Sequence, residues 1–476
     1  MNRRPFLHYA ILTVLGASPA LLAALGGCGQ NPRQSLNPSI ASPSSSPFPM
    51  TSSAPVLILG AGMAGLAAAH TLVSAGIPTI VLEGRDRLGG RILTDQTWGI
   101  PLDLGAAWIH GSDNNPLMKW AKQGGSKPRI TPDESMKVFN HRGKVLTDRL
   151  LDDGEEVYEN LLDDVLEFAE ARGKDLSMAE AIMELDPDVF DDPLMVYYLS
   201  AYLEFDLGGA IETLSARYWD SDEVFDGDDA ILTNGFESLI AALAQNVTVE
   251  LEQVVQRVEW NVQGVRVYTN KGEWKSDRVI CTLPLGVLQQ GAVTFTPELP
   301  KPMTQAWNTV QMGVVNKVCL EFESLFWDKT VQYFGYFAPE KGQYPYFLNL
   351  YPLYKFPGLV TFALGSYASR MERQSDATIV AEVMDNLKTM FGRNIPEPKR
   401  VLVTRWGADP FARGSYSYAS LGAKPKDFKN MGGSVSDRLF FAGEHTNVDY
   451  RGTAHGAYLS GLEAAEAVLA LFPSQG

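Results

Sequence analysis

Residues Pro55 to Leu88 constrain the fold more than any other stretch of the chain. An apolar run, Val56 to Leu59, enters a turn with glycines at 60, 62 and 65. An Ala-rich segment of helical composition follows, and a second apolar run, Thr79 to Leu82, ends in Glu83. Gly60 permits the tight turn out of the strand, Gly62 lets backbone approach a pyrophosphate with no Cβ between them, and Gly65 lets the helix pack against the strand. The helix N-terminus offers unpaired N–H groups and a positive dipole end to phosphate. Glu83 lies 23 residues after Gly60, near the spacing of about 20 at which an acid accepts from ribose hydroxyls. The unit predicts a β-α-β dinucleotide site, for NAD or FAD, and makes a redox enzyme the leading expectation. Arg85 and Leu88-Gly89-Gly90-Arg91 extend the phosphate grip beyond what a nicotinamide enzyme needs, because a planar guanidinium donates two bonds at once to phosphate.

The segment before this unit reads as an address. Asn2-Arg3-Arg4-Pro5-Phe6-Leu7 resembles a twin-arginine export signal, and an apolar stretch runs from Tyr9 to Leu25. Leu25-Gly26-Gly27-Cys28 resembles the bacterial lipobox, whose cysteine is lipidated after cleavage. Residues 31–55 hold six Pro and eight Ser, too little apolar surface to offset the entropy of ordering. The expectation is an export signal over 1–27, a tether over 28–54, and an exported protein, periplasmic or membrane-tethered as a lipoprotein. Ordinary cleavage or an uncleaved anchor are the alternatives.

Formal charge is −16, and the body beyond residue 27, with 38 basic against 56 acidic side chains, carries −18. Such a surface disfavours nucleic acid and anionic membrane and steers cations inward. Cys281 and Cys319 sit in apolar runs as core thiols, and the six histidines show no metal-ligand spacing, so no metal is expected. Leu150 to Tyr202 has helical periodicity, and Val247 to Val267 alternates as a strand pair. Val314 to Phe322, Val331 to Phe337, Tyr344 to Leu350 and Leu359 to Ser366 read as antiparallel strands of a second, aromatic-rich sheet. Residues 437–445 form a further strand, and Gly452-Thr453-Ala454 opens a last helix.

Beyond the first unit, the chain carries Leu-Gly-Ala-Ala-Trp-Ile-His-Gly at 104–111, Asn-Lys-Val at 316–318 and Phe-Trp-Asp at 326–328. Arg-Trp-Gly-Ala-Asp-Pro at 405–410 and Gly-Ser-Tyr-Ser at 414–417 follow, then Phe-Ala-Gly-Glu-His-Thr at 441–446 and His-Gly-Ala-Tyr-Leu-Ser-Gly at 455–461. In these motifs and their order the chain resembles the flavin-containing amine oxidases, which include polyamine oxidases, monoamine oxidases and lysine-specific histone demethylases. The resemblance implies an α/β fold: a Rossmann-like FAD-binding domain of the p-hydroxybenzoate-hydroxylase type, interleaved with a substrate domain of helices on a mixed or antiparallel sheet. Residues 55–130, 227–300 and 405–476 would form the former, and 131–226 with 301–404 the latter.

Residue by residue, the resemblance implies that Gly60, Gly62, Gly65 and Glu83 hold the adenosine-diphosphate end, that Arg85 also binds the cofactor, and that Arg91 lies near the pyrophosphate and flavin. Gly105, Ala106, Ala107 and Trp108 would lie along the flavin, and Val255 would offer backbone to adenine. Glu444 would bind the ribitol region, while Thr453 and Ala454 would meet the flavin's polar edge. Ser415 stands where monoamine oxidases carry a flavin-bonding cysteine, so the FAD should be non-covalent. Lys317 matches the lysine that holds a water beside flavin N5; an unpaired charge between Val315, Val318 and Leu320 would be costly without such a reason. Trp406 and Tyr416 match the aromatic cage around the substrate amine, and Thr453 stands where several relatives have a second aromatic.

Trp108-Ile109-His110-Gly111 looks most like the polyamine oxidases. His110 and Glu204 would then bind the substrate's ammonium groups, with Asp206 as a weaker candidate. The expected reaction is hydride transfer from the α-carbon of a small cationic amine of the spermidine or spermine class. Electrons would pass to dioxygen or another acceptor. An L-amino-acid or monoamine oxidase is the alternative enzyme, with Arg217 as a carboxylate anchor. A flavin-binding interaction protein without turnover is the third reading.

Overall fold

A computed structural model describes residues 54–472. The expected export signal, Cys28 and all but the last residue of the tether lie outside the described residues. Val56–Leu59 is buried on both faces and pairs in parallel with Thr79–Leu82 on one side and Val279–Cys281 on the other. Thr248–Glu250 extends the sheet beyond Thr79–Leu82, Leu439–Phe441 beyond Val279–Cys281, and Gly433–Val435 closes it antiparallel. A parallel sheet must be covered on both faces. Val56 and Ile58 pack under helices Met63–Ser74 and Ala454–Leu469, whereas Leu57 and Leu59 face Met303, Trp307 and Phe428. The two helices lie so close that a Cβ on Gly461 would stand 2.2 Å from the Ala64 carbonyl oxygen.

The alternating stretch from Val247 to Val267 is divided between two sheets. Thr248–Glu250 joins the edge of the parallel sheet, while Val255–Asn261 and Gly264–Thr269 pair antiparallel in a separate four-stranded sheet. Alternation marks a strand but not its partner.

The second large sheet has six strands in the order Arg400–Val403, Asn316–Glu321, Gly358–Ala363, Gln343–Asn349, Tyr333–Tyr336 and Met136–Phe139. The first five pair antiparallel and the last is parallel to its neighbour, so the sheet is mixed. Side chains alternate across it. Val318 and Leu320 pack with Met384 and Leu387 of helix Asp376–Phe391, whereas Val315 and Cys319 pack with Trp108 and Phe362. Lys317 therefore falls on the second face. A helical layer, Asp148–Ala171, Met178–Leu185 and Pro193–Tyr198, runs on into Leu199–Glu204, a turn of π-helix. Among the described residues no helix is long and apolar enough to cross a membrane.

Candidate active site

One cavity of about 640 Å³ is lined by residues of both large sheets. At one end it meets the glycine turn. Gly60 has φ +103°, and a Cβ on Gly65 would stand 2.0 Å from the Gly60 carbonyl oxygen, so both glycines are required by the protein itself. Gly62 is different. A Cβ there would meet no protein atom nearer than 3.9 Å, and the residue lines the cavity as N-cap of helix Met63–Ser74. The room kept free at Gly62 is on the side where a pyrophosphate would lie. Glu83 is buried at the same end, accepting from Ala61 N at 2.7 Å and Arg85 N at 2.8 Å, with Val255 lining the wall nearby.

The arginines divide their work. Arg85 makes a two-pronged bond with Asp409, at 2.9 and 2.7 Å, and stacks on Phe411, so its guanidinium clamps the 405–411 segment to the turn. Arg85 also lines the cavity. Arg87, which motif spacing did not single out, donates to the carbonyls of Leu88, Gly90 and Ile92 and fixes the Gly89-Gly90 loop. Arg91 lines the cavity and bonds Glu444 at 2.7 Å and the Ser415 carbonyl at 2.9 Å. Burial works against ionised Glu444, but Arg91, His445 and the Ser417 hydroxyl outweigh it and hold its pKa below the ordinary value. Removing either partner of such a buried pair costs about 3–5 kcal/mol.

At the second sheet, Lys317 is 7% exposed and donates to the carbonyls of Asp103 at 2.8 Å and Gly105 at 2.7 Å, its ammonium 5.6 Å from the Trp108 ring centre. Burial pushes its pKa down to about 8, against the pull of Asp103. A neutral lysine has two N–H groups and one lone pair. With two N–H groups on carbonyls, the remaining position on the nitrogen, a third N–H in the ammonium and a lone pair in the amine, is left for the cavity that Lys317 lines. Asp103 is itself pushed up to about 6 by burial, against bonds from Thr94 and Phe236 N.

Trp406 is buried and donates from its indole to the Leu104 carbonyl at 3.1 Å, beside the two carbonyls that hold Lys317. Gly105 needs no side chain here, since a Cβ would stand 1.9 Å from the Arg91 carbonyl oxygen. Ala106, Ala107 and Trp108 continue the same wall. The Tyr416 hydroxyl is fixed to the Phe205 carbonyl at 2.5 Å. Thr453 and Ala454 line the cavity, but the Thr453 hydroxyl is committed to capping, accepting from Gly456 N at 2.9 Å and donating to the Tyr450 carbonyl. The Ser415 hydroxyl is likewise spent on Val315 backbone. Cys281 and Cys319 are buried and no cysteine is among the lining residues.

Several acidic groups line the cavity too. His110 lines it with its Nδ1 2.7 Å from Asp229, a buried carboxylate that also accepts from Gly111 N. Asp206 and Glu223 line it as well. Glu204 does not. It is fully buried beneath the π-turn, ion-paired with Lys341 and accepting from Ile211 N at 3.0 Å. The acid expected at 204 thus does not line the cavity, whereas Asp206, the weaker candidate, does, and Glu223 and Asp229 went unnoticed because they lie in a loop without periodicity. Lys341 keeps a second partner in Glu212, so Glu204→Ala should lower stability by about 1–3 kcal/mol, mainly through the Ile211 N–H left unpaired, read as a lower unfolding midpoint. Arg217 is not among the lining residues.

A family model for flavin containing amine oxidoreductases matches residues 63–469. Over 430 residues the chain is 34% identical to polyamine oxidase 4 of Oryza sativa subsp. japonica, covering 86% of this chain and 88% of the relative. It is 35% identical over 453 residues to lysine-specific histone demethylase 1 homolog 2 of the same species, covering 90% of this chain and 59% of that relative. A solved putrescine oxidase with redesigned cofactor binding shares the fold, with a TM-score of 0.71 at 21% identity over 87% of this chain and 99% of its own. Gly62, Glu83 and the buried Lys317 all line this one cavity, which has room for a flavin nucleotide. With that family match over most of its length, the chain belongs to the flavin-containing amine oxidoreductases, and its cofactor is FAD.

Proposed function

We propose that the protein oxidises a polyamine of the spermidine or spermine class. The observation that carries this reading is that one cavity is lined both by Lys317, Trp406 and Tyr416 and by Asp206, Glu223 and the His110–Asp229 pair. Acids sharing a cavity with an aromatic cage suit a chain with several ammonium groups. The name of the rice relative supports the same class. FAD, held without a covalent bond, supplies a hydride acceptor and passes the electrons to dioxygen, giving hydrogen peroxide, or to another acceptor. The protein's part is binding and orientation. Gly60, Gly62, Gly65, Glu83 and Val255 would hold the nucleotide end, with Arg91, Glu444 and Ala454 nearer the ring. Trp406 and Tyr416 would keep the reacting amine neutral and oriented in an apolar cage. Lys317 would hold the water that hydrolyses the iminium product to an aldehyde and a shorter amine. The segments 55–130, 227–300 and 405–476 are assigned to the FAD-binding part and the rest of the described chain to substrate binding.

Anaerobic mixing with spermidine, spermine, simple monoamines and L-amino acids tests the reading. Polyamines should bleach the flavin, and bleaching by L-amino acids alone would overturn it. Asp206→Asn should raise KM for a polyamine by roughly 10-fold, about 1.4 kcal/mol, with less effect on a monoamine; equal effects on both would remove its role. Export through residues 1–27 and lipidation at Cys28 are proposed from the sequence motifs alone. Export lost in the Arg3→Lys, Arg4→Lys double variant and membrane association lost in Cys28→Ser are the expected outcomes.

A further inference from the structure

Three successive carbonyls of one turn hold two side chains of the cavity. Asp103 O and Gly105 O accept from Lys317 at 2.8 and 2.7 Å, and Leu104 O, between them, accepts from the Trp406 indole at 3.1 Å. Lys317 lies in the second sheet and Trp406 follows its edge strand Arg400–Val403, whereas the turn extends the short hairpin of Thr94–Asp95 and Leu102–Asp103. The Asp103 carboxylate ties this turn down. One of its oxygens accepts from the Thr94 hydroxyl at 2.5 Å and from Phe236 N at 2.9 Å, where helix Glu237–Leu243 begins. Thr94 Oγ1 accepts from Glu237 N at 3.1 Å, so its single proton goes to Asp103. Leu104 N donates to the Leu93 carbonyl. An asparagine oxygen could accept both bonds made by Asp103, so the negative charge at this position answers to something else. The nearest cation on the same turn is Lys317, whose ammonium touches this residue's own carbonyl.

We propose that Asp103 is a positioning residue for Lys317: its carboxylate fixes the turn that grips the lysine, and its negative charge favours the lysine's ammonium form. This rests on the part given to Lys317 in amine oxidation. Burial drives Lys317 down to about 8 and Asp103 up to about 6, and each charge draws the other back. The other titratable group acting on Lys317 is Cys319, whose thiol burial pushes up to about 12, so it stays neutral. Around Asp103 stand Glu237, a like charge, and Tyr354, whose phenol burial keeps protonated. Removing the charge at 103 therefore leaves burial less opposed, and Lys317 should become the neutral amine at lower pH.

The experiment follows the Lys317-dependent flavin step against pH in FAD-loaded protein, by stopped-flow, with the amine that reduces the wild-type flavin fastest. Asp103→Asn keeps an acceptor for Thr94 and Phe236 N and removes the charge. The rise of the rate with pH should move down by about one pH unit. At about pH 7 the variant, relative to its own plateau, should then run about 5-fold faster than the wild type, a gain that a loosened turn does not give. In the Lys317→Met background the same substitution should move nothing. Should Asp103→Asn fold poorly, Thr94→Val tests the grip alone: kcat should fall by roughly 10-fold with KM little changed, and Thr94→Ser should restore it. An unmoved rise in folded Asp103→Asn, or full activity in Thr94→Val, would overturn the proposal. A rise that survives in Lys317→Met would instead overturn the reading of the lysine, and this proposal with it.

Discussion

Gly62→Val is expected to give a folded, colourless protein. A Cβ at this position meets no protein atom nearer than 3.9 Å, and φ is −82°, a value any residue adopts. The fold should therefore accept valine, and the unfolding midpoint should match that of wild-type protein stripped of flavin. The added methyl groups instead occupy the space over which a pyrophosphate reaches the helix N-terminus. FAD affinity should fall by more than roughly 100-fold, about 2.7 kcal/mol, measured by equilibrium dialysis and by the lost visible absorbance. Gly65→Ala supplies the contrast. Its Cβ would lie 2.0 Å from the Gly60 carbonyl oxygen, so it should lose the fold as well as the colour. Wild-type flavin content in Gly62→Val would show that the turn does not carry the cofactor.

Lys317→Met should retain FAD and lose most activity. The lysine lies in the second sheet, away from the glycine turn, and methionine fills similar space without a charge between Trp108 and Phe362. Removing a group that holds or moves a proton at the reacting centre should cost about 10²–10⁴ in rate, read by stopped-flow in flavin reduction or reoxidation. In the wild type the affected step should rise with pH around an apparent pKa near 8, and the rise should be absent in Lys317→Met. Lys317→Arg, which stays charged, should not restore it. Stability supplies a second readout. Because the folded pKa is about 8 and the ordinary value 10.5, the unfolded chain binds more protons between them. This residue's contribution therefore rises with pH across that window and is least favourable below 8. Unchanged rates of both half-reactions would remove lysine from the mechanism.

What the sequence revealed follows from how local each feature is. Gly60, Gly62, Gly65 and Glu83 were legible because strand, turn, helix and acid follow within one βαβ unit, and backbone sterics fix their relation. Lys317 was legible as a charge among apolar neighbours in a strand, where alternation sets the face. Glu204 was named through the resemblance to polyamine oxidases, and a motif match does not say which way a side chain points. Leu199–Glu204 is wound as π-helix, and there Glu204 is buried while Asp206 lines the cavity. The Arg85–Asp409 pair was not legible because the two residues stand 324 positions apart. Glu223 and Asp229 likewise reach the cavity only through a loop placed by the tertiary fold.

The strand order of the first sheet also has a consequence for how the protein is made. Val56–Leu59 leaves the ribosome early, but its neighbour Val279–Cys281 and the next strand, Leu439–Phe441, come from the middle and the far end of the chain. Glu444 and the helix that covers the sheet, Ala454–Leu469, emerge later still. During synthesis the nucleotide half of the site thus waits, with an open strand edge, for its last wall. Stable flavin loading should accordingly be a post-translational event, and release of the completed chain rather than synthesis of its first motif should set when the protein turns yellow.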